Sequence, residues 1–244
     1  MKRLTLIALS LLLFAAQFCW AAKVHDVANT VHNLSSTGLL FQYAATDEDQ
    51  ICIFCHTPHG GNLDAPLWNR DSTSLSGSGV FTHYTSATLS SDVGLSNRAV
   101  NSESLACMSC HDGSIGVGDI INTSGLSDPD NSVVDIQGFG GQPGPRIGAT
   151  IADTLATGDL SDDHPISFSM AAVISGGEPN LKTVANAETA GLMFYGGASK
   201  NVECATCHDP HVLYEAFYGG DEDYRPFLRI PNTGSAMCLA CHDK

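Results

Sequence analysis

Apolar residues in this chain seldom recur at the spacings that build long regular elements. The one extended apolar run, Leu4 to Phe18, follows Lys2 and Arg3 and precedes small residues at Cys19 and Ala21. That arrangement reads as a secretory signal over residues 1–22, too short to cross a bilayer comfortably. Beyond it, Gly, Ser, Thr, Asn and Asp break every apolar stretch, so neither a helical nor an alternating period persists. Short strands are expected at Val133 to Gln137 and Ile166 to Ser169, and a short helix at Ala185 to Phe194. Gly138 to Gly148 and Asp128-Pro129-Asp130-Asn131 read as turns. The expected fold is a single domain over residues 23–244, mostly irregular coil with short helices and a few short strands. A chain of about 220 residues with so little periodic apolar surface needs something other than side chains to fill its core.

The cysteines say what that is. Eight of the nine lie in four Cys-x-x-Cys-His motifs: Cys52 and Cys55 with His56, Cys107 and Cys110 with His111, Cys204 and Cys207 with His208, Cys238 and Cys241 with His242. The ninth, Cys19, falls in the leader. Two thiols three positions apart can each form a thioether to a haem vinyl group, and the adjacent imidazole then lies under the iron. Zinc would take such cysteine pairs two at a time and needs no histidine after each one. Disulfides need no histidine at all. Four covalently bound haem c groups are therefore expected, with His56, His111, His208 and His242 as proximal ligands.

Six further histidines remain for the opposite faces: His25, His32, His59, His83, His164 and His211. His59 follows His56 by three positions and His211 follows His208 by the same interval. Each emerges beside its own haem and is better placed to reach a neighbouring one. His164 is fixed in an extended turn by Pro165. His32, His59, His164 and His211 are the expected distal ligands, with His25 and His83 as alternates. Met170 and Met193 are the only free methionines outside the leader, so bis-histidine ligation and low potential are expected. An iron closed on both faces passes electrons without transforming a substrate, which points to an electron-transfer protein and not an enzyme.

Charge narrows the partners. Loss of Lys2 and Arg3 with the leader reduces 11 basic residues to 9 against 26 acidic ones, taking the formal charge from −15 to −17. Such a chain is a poor ligand for nucleic acid or anionic lipid and suits cationic or metal-bearing partners. Trp68, Phe81 and Tyr84 are expected on porphyrin edges, and Arg225 or Arg229 against a propionate.

His32-Asn-Leu-Ser, Cys52-Ile-Phe-Cys-His-Thr-Pro-His59, Pro66-Leu67-Trp68-Asn69, Cys107-Met-Ser-Cys-His-Asp-Gly, His164-Pro-Ile and Cys204-Ala-Thr-Cys-His-Asp-Pro-His211 together resemble the OmcE-like tetrahaem c-type cytochromes. That family forms extracellular cytochrome filaments, or nanowires, in metal-reducing bacteria. The resemblance implies a homopolymer with a continuous haem chain and little regular structure, secreted to the extracellular space or outer-membrane surface. It implies electron delivery to other redox proteins or metal oxides. It also implies an axial histidine supplied by an adjacent subunit, from an N-terminal arm bearing His25 or His32. A soluble periplasmic tetrahaem shuttle and a multihaem oxyanion reductase are the alternative expectations.

Overall fold

The computed structural model describes residues 23–39, 44–46, 48–62, 65–71, 80–94, 96–112, 120–122 and 159–243. The leader, the strand expected at Val133 to Gln137 and the Gly-rich stretch after it lie outside the described residues.

Two small sheets brace the chain. In the first, β1 (Val80–His83) is central. It pairs antiparallel with β2 (Asn97–Ala99), Phe81 opposite Arg98, and parallel with β3 (Asp159–Leu160), His83 opposite Leu160. The strand alternation turns Phe81 and His83 inward, while Val80 stays exposed. The inward face packs on helix α1 (Ser102–His111): Phe81, Val100, Met108 and Leu160 form one buried cluster. Full burial of Phe81 and Met108 contributes about 1.5–3 kcal/mol each.

The second sheet is β4 (Phe168–Ser169) against β5 (Asn201–Val202). β4 is shorter than the strand expected from Ile166, for two local reasons. Ser167 takes a positive φ of 56°. Ser169 caps helix α2 (Met170–Ser175), its hydroxyl accepting from the Ala172 amide. Helix α3 (Val184–Ala190) is likewise shorter than expected, because Gly191 at φ 110° ends it and the Leu192 amide turns back to the Ala187 carbonyl. The last two helices are α4 (Cys204–Cys207) and α5 (Ala236–Cys241).

The core is divided. Ala45, Phe54 and Ile120 form one buried group, Val212, Tyr214, Tyr224 and Phe227 another, and Ala187, Leu192 and Ala240 a third. Each group backs a Cys-x-x-Cys-His segment or its partner loop.

Candidate functional site

Each of the four motifs sits on a turn of helix. The first occupies a 3-10 turn, Cys52–Phe54. The second fills the end of α1, the third is α4, and the fourth ends α5. Residues three apart share a helix face, so each cysteine pair presents two thiols side by side. After the second cysteine the backbone at His208 and His242 becomes extended, with ψ of 148° and 139°, which swings the imidazole out of the helical direction.

Three of the motif histidines are held the same way, each in a single antiparallel bridge: His56 to Trp68, His208 to Leu228 and His242 to Leu181. The first two are close copies. In one, the Thr57 amide donates to the Leu67 carbonyl at 2.8 Å and Asn69 to Cys55 at 2.9 Å. In the other, Asp209 donates to Phe227 at 2.7 Å and Arg229 to Cys207 at 2.8 Å. Both return loops carry a proline followed by a residue at φ 57°, Pro66-Leu67 and Pro226-Phe227. In both, the ring Nδ1 of the motif histidine donates to the proline carbonyl, His56 to Pro66 at 3.0 Å and His208 to Pro226 at 2.9 Å. The segment from Cys52 to Asn69 and the segment from Cys204 to Arg229 are thus one structural unit used twice.

An imidazole whose Nδ1 donates to a carbonyl presents a bare Nε2, the state a metal takes up. His164 is fixed alike, Nδ1 to the Pro165 carbonyl at 2.8 Å. His211 donates instead to a carboxylate, Asp209 Oδ1, at 3.0 Å.

The rings then pair. His32 stands edge-on to His111 with centroids 6.3 Å apart and 89° between planes, His211 lies parallel to His56 at 6.4 Å and 12°, and His164 stands edge-on to His242 at 6.3 Å and 71°. Two imidazoles bound trans to one metal, each at a nitrogen–metal distance of about 2.0 Å, put their centroids about 6.3 Å apart. The three separations fit an iron between each pair, which is the test that the residues suit haem. Among the described residues no group of three or more His, Cys, Asp or Glu gathers as a metal held by side chains alone would need. Two axial imidazoles are all that a porphyrin-held iron asks of a protein.

The thiols order the motifs. Cys55 lies near Cys110, Cys107 interacts directly with Cys204, and Cys207 neighbours Cys241. Burial, and then the Cys110 thiol, pushes Cys55 up to about 12. Burial, and then Cys241, pushes Cys207 up to about 11. The four cysteine pairs therefore follow one another in space as they do in sequence.

Asp209 is a hub. It receives the His211 ring, Lys23 at 3.7 Å, His25 Nε2 at 3.3 Å and Arg229 at 3.4 Å. Burial alone would raise its carboxyl, but the His211 hydrogen bonds and the Arg229 charge outweigh that and hold it far below the usual carboxylate range. Arg229 thereby bonds Asp209 and Tyr195, while Arg225 makes an exposed pair with Glu222 beside the Tyr214 ring. The N-terminal arm is zipped to the same place, Asp26 donating to the His211 carbonyl and Leu213 to the Val24 carbonyl, both at 2.9 Å.

The other histidines separate cleanly. His32 is half-buried beside His111 and Phe227, and that burial, followed by His111, lowers it to about 4. His83 is buried within the first sheet with Nε2 donating to the Arg98 carbonyl at 3.3 Å, which makes it a packing residue. His25 is half exposed against Asp209. His59 is exposed, its carbonyl accepting from Thr57 and Asn122, and among the described residues neither its ring nor that of His208 has a ring partner.

Trp68 stands edge-on to His56 at 5.8 Å and donates to Ser109 at 3.3 Å, and the buried Arg70 guanidinium also donates to the Ser109 carbonyl. Both dock the first motif onto α1. Phe81 belongs to the α1 cluster and Tyr84 is exposed. Sequence reasoning missed Asp209 and the buried Glu203, which lie next to a proximal histidine and an attachment cysteine. Their position beside the motif was the available signal.

No protein-family model matches this chain, and no curated protein matches it. No helix among the described residues is long and apolar enough to cross a membrane.

Proposed function

We propose that this chain is a secreted tetrahaem c-type cytochrome that carries electrons, of the kind its motifs resemble, and that it assembles head to tail into an extracellular filament. The observation that carries the haem reading is the set of three imidazole pairs at 6.3–6.4 Å, each joining a motif histidine to a histidine distant in sequence. Bound there, haem supplies a one-electron iron couple. The cysteines fix four attachment points in a row. His32, His164 and His211 would hold the iron together with His111, His242 and His56; proline carbonyls keep His56 and His164, and the Asp209 carboxylate keeps His211, in the tautomer with a bare Nε2. Three irons would then be held between two imidazoles and the fourth would be closed on assembly, an arrangement suited to passing electrons.

The duplicated unit supports the polymer. Within one chain, His211 of the second unit closes His56 of the first. Repeating that relation between chains would bring His59 of a second copy over His208, the motif histidine with no ring partner among the described residues. This assigns the shared ligand to His59, whereas the N-terminal arm spends His32 within its own chain and ties His25 to Asp209. Delivery of electrons to acceptors such as metal oxides follows from the acidic surface and the expected export.

Intact mass with four porphyrin additions per mature chain, together with a low-spin reduced spectrum, tests the haem content. A mass lacking them ends the proposal. Negative-stain images of native preparations test assembly, and particles of one subunit only would leave the soluble periplasmic shuttle as the better account.

A further inference from the structure

Glu203 immediately precedes Cys204 and is one of the largest fully buried side chains in the protein, 1 % exposed. Its carboxylate accepts from Asn101 Nδ2, from Ser104 Oγ at 2.6 Å and from Ser167 Oγ at 2.8 Å, and its side chain also caps α4 at the Thr206 amide. Asn101 and Ser104 open α1, the helix that carries the second motif. Ser104 Oγ in turn accepts from the Cys204 amide at 3.1 Å. One buried carboxylate therefore welds the second motif to the third at the point where their thiols, Cys107 and Cys204, meet.

Bracing alone does not require a charge there. Hydroxyl and amide donors would serve a neutral acceptor, and desolvating an anion is costly unless its charge is used or fully matched. The hydrogen-bonding partners named are neutral, so they stabilise the anion without cancelling it. The facing cation is Arg98, close enough for Glu203 to oppose the lowering that burial imposes on it. Arg98 is itself held by the Ile166 carbonyl.

We infer that Glu203 is a potential-setting residue, a fixed buried anion that favours the oxidised state of the second and third haems over the first and fourth. The inference rests on the tetrahaem reading above. A unit charge about 10 Å from a redox centre at an effective dielectric of about 20 changes a one-electron equilibrium roughly tenfold, which is 59 mV.

The test is a spectroelectrochemical titration of the full-length haem-loaded protein. Glu203→Gln keeps the shape and an acceptor oxygen while removing the charge. Two of the four one-electron components should rise by about tenfold in their reduction equilibrium, with the other two unmoved. Arg98→Gln, which removes the facing cation, should shift the same two components downward, and if Glu203→Gln does not accumulate, Glu203→Ala read by the same titration takes its place, with the same rise in those two components expected. Ser104→Ala weakens the brace and leaves the charge, so it should lower the melting temperature without raising any potential. Four unmoved components in Glu203→Gln, or an equal shift of all four, would overturn the inference and leave Glu203 a brace only. Failure of the tetrahaem reading is separately visible, since it would appear as missing porphyrin mass in the parent protein.

Discussion

Removing one exposed imidazole should open one iron and no other. His164 lies on the surface, with its ring 6.3 Å from His242 and its Nδ1 occupied by the Pro165 carbonyl. Truncating an exposed side chain changes packing by about 0.5 kcal/mol or less, so any spectral change in His164→Ala reports coordination and not collapse. The expected size follows from the pairings. Three motif histidines have a histidine partner and, among the described residues, His208 does not, so on the proposed reading dissociated subunits should bind one carbon monoxide per chain when reduced, and His164→Ala subunits two. In the assembled form the same comparison should run from none to one. The assay is a carbon monoxide titration of the dithionite-reduced protein, normalised to haem content by alkaline pyridine. A His83→Gln protein serves as control, because that ring is turned into the first sheet, and it should match the parent. If His164→Ala binds no more carbon monoxide than the parent, the ring pairs do not mark irons and the pairing scheme fails.

His59→Ala should leave the haem count and fold of the subunit intact yet abolish filaments, with the carbon monoxide stoichiometry of native material rising by one, as seen by microscopy and titration together. Asp209→Asn removes the charged acceptor of His211 and the anchor for Lys23, His25 and Arg229. It should cost about 2–3 kcal/mol in urea denaturation and speed amide exchange at Asp26 and Leu213, whose donors join the arm to the third motif. His83, lowered to about 4 by burial and then by Arg98, stays neutral in the folded chain while the unfolded chain takes up a proton below the ordinary value of 6.5. Its contribution is therefore complete above that value and lost as pH falls toward 4, so stability should drop by about 2 kcal/mol between pH 7 and pH 5. His32, lowered to the same value, adds a similar loss, so the drop should shrink by about 2 kcal/mol in His83→Gln without vanishing; an identical pH dependence in the variant would refute the assignment.

What the sequence disclosed depended on how local the constraint was. Thioether chemistry requires two cysteines and a histidine within five residues, so the four candidate attachment motifs stand out by spacing alone. The sequence also suggested that His211 turns toward a neighbouring motif and not its own, and its ring lies against His56. That this neighbour is His56, and that His164 meets His242, depends on how the loops between them fold back, which no local pattern encodes. His83 shows the opposite limit. As a residue type it qualified as a ligand, and only the alternation along β1, which turns it toward Arg98, reveals that its Nε2 is already taken. The helix ends were readable in principle: Gly191 stops α3 and Ser169 starts α2 by ordinary capping, signals outweighed by the apolar residues around them. The repeated proline loop was hidden because its distance from the motif differs in the two copies, Pro66 following His56 far sooner than Pro226 follows His208.

The facing rings join His32 to His111, His56 to His211 and His164 to His242, and each of these spans overlaps the next along the chain. If haem is bound as proposed, the polypeptide would behave like a cord stitched at three interlocking points, with long loops shortened by knots that the backbone alone would not tie. Cross-links that close long loops remove much of the unfolded chain's freedom. That lets glycine- and serine-rich sequence hold a fixed course with only three or four buried side chains in each apolar group. Such a chain would acquire its shape as it acquires its iron, and stripping the metal would unravel it along its whole length at once.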